Sequence, residues 1–352
     1  MPKRVFLFQG NKQVFKIEHE EVLVKTTVKH ALLSGLIIVS TAMAGNVMAD
    51  NWTGYTYSSV STTAAVKGME RISDRVAKET DDDLSIRLHL GKTLQISSSD
   101  ITQATGDGIV DFAADLFFSG NVPIARILNL PLLINNDEEW NKAYAVMAPY
   151  MKEGFAEQGV TYLGSYRYPQ QVIFTSFRMN SLDDLADHKI RVTSPEQGAF
   201  VEAFGGSPIT LSGSEVPTAL ERGVIDGVLT ASAGGAKNWH EFLPYNYRLP
   251  VNYANSAIIA NTSAYEGLED ATRQTLNRIV SDETKKITQD FIADEQVQKQ
   301  KQADAGMTIV EADPADIQRA QERMAPWWRE WAQQAGPEHE KALEAVLKAL
   351  GK

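Results

Sequence analysis

Ala186-Asp-His-Lys-Ile-Arg-Val-Thr-Ser194, followed by Pro195, reads as a short strand passing into a helix. Arg191–Ser194 supplies the strand. Pro195 suits the first helical position, where its missing N–H has no intrahelical partner to lose. Phe200, Ala203 and Phe204 carry the helix to Gly205-Gly206. Beyond it the pattern continues, with a strand at Ile209 and Leu211, a helix over Glu215–Arg222 and a strand over Val224–Leu229. A strand–helix step repeated in this way predicts an α/β protein with a mainly parallel sheet.

The first half shows the same alternation. The sequence predicts a strand over Tyr55–Val60, then an amphipathic helix through Val66, Met69, Ile72 and Val76. Leu84, Ile86, Leu88 and Leu90 alternate as a half-buried strand. A short helix over Ser99–Thr105 precedes the strand Ile109–Ala114, and a long helix from Trp140 to Phe155 precedes the strand Val160–Ser165. Gly108-Ile-Val-Asp111 and Gly223-Val-Ile-Asp226 each follow a helix, turn at a glycine able to take positive φ and enter a strand. The pair suggests two similar lobes, although four residues are few enough to recur by chance.

The C-terminal third is helical. Over Glu269–Ala303 the apolar stripe is Ile279, Ile287, Phe291 and Ile292, and the helix either spans both lobes or lies solvated on the surface. Ile317–Ala332 contains Trp327, Trp328 and Trp331, read as packing rather than as a ligand-stacking set, and Glu338–Leu350 forms a last helix. No low-complexity linker separates the halves, so crossing strands are expected to join them.

Lys25 and Lys29 precede the apolar run Ala31–Gly45, and Val47-Met48-Ala49 offers a small-residue cleavage site. A signal peptide cleaved after Ala49 is expected, with export to the periplasm. The alternative is an uncleaved anchor, for which fifteen residues fall short of the ~20 a span needs. The first 23 residues resemble no signal n-region, and translation is expected to start near Val24. Residues 1–49 carry six basic and three acidic side chains, so their removal takes the net charge from −11 to −14. That acidity argues against nucleic acid or an anionic membrane as partner. The chain has no cysteine, which excludes disulfides and thiolate metal sites.

Enzyme signatures are missing. There is no Gly-x-Ser-x-Gly elbow, phosphate loop or His-Glu-x-x-His. His89, His188, His240 and His339 include no two at metal-ligand spacing, so neither a metal nor another cofactor is expected. His188 and His240 sit beside Asp187 and Glu241, the commonplace arrangement of an exposed histidine near an acid. Arg191 is the residue that asks for a partner. A guanidinium fork matches a carboxylate with two parallel hydrogen bonds, and open α/β sheets bind ligands beyond the carboxyl ends of their strands. Residue chemistry leaves two choices, a ligand acid or a structural ion pair.

Leu182-Asp-Asp-Leu-Ala-Asp-His-Lys-Ile-Arg-Val192 resembles the "dDLkGlKiRv" segment of substrate-binding proteins of tripartite ATP-independent periplasmic (TRAP) transporters. Gly206-Ser-Pro, Ser214-Glu-Val, Ala219-Leu and Val224-Ile-Asp-Gly227 fall at the spacing of the family's next pattern. Gly108-Ile-Val-Asp111 and Leu130-Pro-Leu-Leu133 are similar to its earlier "GxlDm…lPfl" region. The resemblance implies a bilobal periplasmic-binding-protein-like fold, two α/β lobes joined by crossing strands and a long helix. It places lobe I at 50–168 plus about 256–296, and lobe II at 169–255 plus about 297–352. It further implies a non-enzymatic receptor that closes on a small organic acid and delivers it to an ion-gradient-driven membrane permease, with Arg191 gripping the carboxylate.

A second arginine common in that family falls on Gln171 here, with Arg167 nearby. Ser58 and Ser59 take the place of a polar contacting pair, Phe117 or Phe118 supplies a wall, and Thr193, Thr230 and Asn252 align with rim positions. One firm cation among hydroxyls and aromatics suits a monocarboxylate. A monomer is expected, with Trp327–Trp331 as the patch that a dimer would use. The rival readings are an exported α/β enzyme acting on acidic sugars, the binding protein of an ATP-driven importer, and the sensor module of a signalling pair.

Overall fold

The computed structural model describes residues 49–352. The expected signal segment and translation start lie outside them. Among the described residues eleven strands run in chain order: β1 Asp50–Thr56, β2 Leu84–His89, β3 Phe112–Asp115, β4 Val160–Arg167, β5 Gln171–Thr175, β6 Lys189–Val192, β7 Ser207–Thr210, β8 Gly227–Thr230, β9 Tyr245–Asn252, β10 Asn255–Asn261 and β11 Thr308–Glu311. They form two sheets, ordered β2-β1-β3-β10-β4 and β11-β9-β5-β8-β6-β7.

Read from β7, the second sheet repeats the first: β7-β6-β8-β5-β9 matches β2-β1-β3-β10-β4, with β11 added at the edge. The glycine–aspartate units sit at equivalent places. Gly108 and Gly223 take φ of +71° and +65°. In each unit the glycine N–H bonds back three residues and the next N–H bonds back five, from Ile109 to Ala104 and from Val224 to Ala219. That is the bonding of a left-handed helix cap. Each aspartate then ties its strand start to a neighbour: Asp111 Oδ2 accepts from the Thr53 N–H at 2.7 Å, and Asp226 Oδ2 from the Lys189 N–H at 2.9 Å. The four-residue match therefore marks two copies of one local structure.

The expectation of mainly parallel sheets holds for β1–β3 and β6–β8 and fails at β10 and β5, which are antiparallel to both neighbours. The reason is the crossing between sheets. β4 enters β5 through Tyr168-Pro-Gln170, and β9 enters β10 through Tyr253-Ala254. Arg167 lies opposite Asn255 and Gln171 opposite Asn252, while the Tyr168 N–H donates to the Ala254 carbonyl at 2.8 Å. The connections thus form a two-stranded ribbon that must enter each sheet against the direction of its parallel strands.

Helix Asp270–Asp304 serves both sheets. Its buried apolar residues, Leu276 to Phe291, all lie in the first part, where Glu283 also bonds Arg71 and Arg75 of helix Ala64–Glu79. Beyond Phe291 its buried residues are polar. Glu295 accepts from Arg248 of β9 at 2.9 Å and from the Ala233 N–H at 2.8 Å. Ile292, expected in the apolar stripe, points outward.

Strand β1 begins and ends earlier than expected. After Thr56, the Ser58 N–H turns to the Thr56 hydroxyl and the Val60 N–H to the Ser58 hydroxyl. These local bonds take the place of the ladder. Near the C-terminus, Trp328 is buried and its indole N–H donates to the Pro131 carbonyl at 2.8 Å, a packing role. Trp331 lies under Arg126, whose guanidinium pairs with the fully buried Glu196 and so joins the segment Pro123–Asn129 to helix Pro195–Ala203.

Candidate ligand-binding site

The chain segments leaving β3 and β6 meet the crossing ribbon around a narrow cleft. Leu116, Phe117, Phe118 and Ser119 form one wall after β3, and Thr193, Ser194 and Gln197 form another after β6. The ribbon contributes Asn252, Ala254 and Asn255, and Asn129 closes the set. Among the described residues no charged side chain lines this cleft.

Buried Asp115 fixes the first wall. It accepts from the Thr102 N–H and hydroxyl, at 3.1 and 2.7 Å, and from the Phe117 N–H at 2.7 Å. Burial pushes its carboxyl up to about 6 against the pull of those donors. Phe117 also meets Tyr57 edge to face.

Amides knit the remaining walls together. Gln197 Oε1 accepts from the Thr193 N–H at 2.8 Å and the Thr193 hydroxyl at 3.0 Å. Gln197 Nε2 donates to Asn252 Oδ1 at 3.1 Å, and Asn252 Nδ2 donates to the Asn129 carbonyl at 2.9 Å. Asn129 Nδ2 in turn donates to the Tyr253 carbonyl at 2.9 Å. Gln197 belongs with the second sheet, Asn129 with the first, and Asn252 with the ribbon between them.

Arg191 stands two residues before Thr193 on β6 and is only 4% exposed. Its Nε donates to the Leu211 carbonyl at 2.9 Å and its guanidinium lies over Trp239, 5.4 Å from the ring centre. Among the described residues no carboxylate comes within salt-bridge distance of it. Burial pushes its pKa down to about 10, opposed by the more distant charge of Glu215. The group is still a cation at neutral pH. Its desolvation is left without the close counter-charge that a buried cation normally has.

Of the positions expected from sequence, Phe117, Thr193 and Asn252 line the cleft. Ser58 and exposed Ser59 turn the chain after β1, outside its lining. Thr230 is buried and its hydroxyl accepts from the Gly235 N–H, closing a turn. Gln171 gives its amide to the Pro169 carbonyl at 2.9 Å. Arg167 pairs with Asp137 at 2.7 Å and lies over Tyr253. Gln197 and Asn129 carried no sequence signal: isolated amides at a helix start and in an apolar stretch have no telling spacing, and their partners are 55 and 123 residues away.

A family model described as bacterial extracellular solute-binding protein, family 7, matches residues 56–334. The chain is 27% identical over 271 residues to the ectoine-binding periplasmic protein TeaA of Halomonas elongata, covering 72% of this chain and 78% of that protein. In fold it is similar to an extracytoplasmic solute receptor of Bordetella pertussis that binds pyroglutamic acid, with a TM-score of 0.79, 22% identity and coverage of 85% and 99%. It is similar too to a TRAP periplasmic solute-binding protein of Chromohalobacter salexigens with bound D-glucuronate, with a TM-score of 0.77, 22% identity and the same coverage.

Proposed function

Because the chain belongs to bacterial extracellular solute-binding protein family 7, the receptors of TRAP transporters, we propose that its cargo is a small monocarboxylate held by Arg191. The chain is a transport receptor for organic acids, not an enzyme. The observation that carries the finer reading is the unpaired burial of Arg191 in an acidic chain rich in possible partners. A ligand carboxylate would supply the missing counter-charge. Arg191 is not among the cleft's lining residues but stands two positions before Thr193, which is, and the uncharged lining favours a ligand whose other groups are neutral. Pyroglutamate and glucuronate, bound by two structural relatives, fit that description.

Arg167 already has Asp137, and Gln171 spends its amide on Pro169, so the reading assigns the carboxylate to Arg191 alone. It further takes the ribbon at Tyr168–Gln170 and Tyr253–Ala254 as the hinge between lobes bounded near 168 and 255. It takes the mature protein to be a periplasmic monomer beginning at Asp50.

Isothermal titration of Arg191→Ala with a panel of monocarboxylates tests this. Removing one partner of a buried pair costs roughly 3–5 kcal/mol, on the order of 10²–10³-fold in affinity. Arg191→Met keeps a stem against Trp239 and separates loss of charge from loss of packing. Wild-type affinity in a folded variant would refute the assignment.

A further inference from the structure

The polarity of the amide chain is fixed at both ends by backbone groups. A backbone N–H only donates and a backbone carbonyl only accepts. The Thr193 N–H therefore fixes Gln197 with its oxygen toward Thr193 and its nitrogen toward Asn252. The Asn129 carbonyl fixes Asn252 with its nitrogen toward Asn129 and its oxygen toward Gln197. Reversing either amide would set two oxygens or two N–H groups against each other. Gln197 is 1% and Asn252 3% exposed, so neither reorients into water.

Each amide nitrogen has two hydrogens, and among the described residues each spends one within the chain. One N–H per side chain remains, and both side chains line the cleft. The wall therefore offers donors whose direction is set before a ligand arrives. We propose that Gln197, supported by Asn252, is a specificity-determining residue that selects monocarboxylates carrying a neutral hydrogen-bond acceptor, such as a ring carbonyl, away from the carboxylate. The inference rests on the assignment of the carboxylate to Arg191. A second carboxylate at this position would enter a cleft with no cation to offset its desolvation. A purely apolar ring would leave the fixed donors without a partner.

The test is calorimetric, with three acids of similar size: pyroglutamate, 3-oxocyclopentanecarboxylate and cyclopentanecarboxylate. The second keeps the ring carbonyl without the lactam N–H, and the third lacks both. The wild type is expected to bind the first two on the order of tenfold or more tighter than the third. Gln197→Met is expected to erase most of that preference. Arg191→Met is expected to weaken all three together. Equal wild-type affinity for the three acids would overturn the role of Gln197, and that comparison needs no variant to fold. A Gln197→Met variant that weakened all three equally would overturn it as well. Unchanged binding by Arg191→Met would instead remove the carboxylate assignment, and failure of the wild type to bind any of the three would overturn both.

Discussion

Arg191 and Asp115 are two buried charges with opposite circumstances. Arg191 has a donor bond to Leu211, an aromatic face and, among the described residues, no acid within salt-bridge distance, so an anion bound beside it would offset its burial. Asp115 has three donors yet its carboxyl is still pushed up to about 6, because complete burial outweighs them. Its folded-state value lies above the unfolded 3.8. Its contribution to stability is therefore full below about pH 4 and is lost as the pH rises through 6. The difference in unfolding free energy between wild type and Asp115→Asn should accordingly shrink by up to roughly 3 kcal/mol between pH 4 and pH 7. Denaturant titrations across that range measure it, and a pH-independent difference would show that Asp115 ionises freely in the fold. Arg191 was legible in the sequence because a charged residue inside a strand requires an explanation. Gln197 was not, because a glutamine in the first turn of a helix requires none until Thr193 and Asn252 are seen around it.

Among the elements, those with an apolar period are legible in the sequence to within a few residues. Helix Ala64–Glu79 buries Val66, Met69, Ile72 and Val76, whose spacing predicts it, and helix Asp137–Ala156 buries both Trp140 and Phe155, the expected ends of its run. β5 carries no sequence signal, since its five consecutive buried residues show no alternation, and neither do β9 and β10, whose partners lie far off in the chain. The repeated glycine caps carry a test of their own. No atom approaches an added Cβ at Gly223 within 4 Å, and at Gly108 only the Asn261 amide does, at 3.8 Å. Alanine at either place should therefore pay only for the left-handed backbone, about 1–2 kcal/mol, and nearly the same at both. Chemical denaturation of Gly108→Ala and Gly223→Ala reads the two costs. A negligible loss at either would show that its cap tolerates another backbone shape.

Across the whole molecule, the two sheets repeat one strand order, and the cleft is lined from the end of β3 in one and of β6 in the other. The ribbon, the helix Asp270–Asp304 and the Arg126–Glu196 pair are what join the halves. The sequence resemblance anticipated this architecture and the long helix's double role. It did not reveal that the antiparallel strands are the price of crossing between the sheets. The central claim is that a ligand acid completes Arg191, the one buried guanidinium among the described residues that has no acid within salt-bridge distance. A crystal structure of the protein with a bound monocarboxylate tests it most directly. The account predicts the carboxylate against Arg191, with at least one oxygen about 2.7–2.9 Å from a guanidinium nitrogen and the remainder of the ligand against Gln197 and Asn252. A carboxylate bound elsewhere, with Arg191 still unpaired, would contradict it.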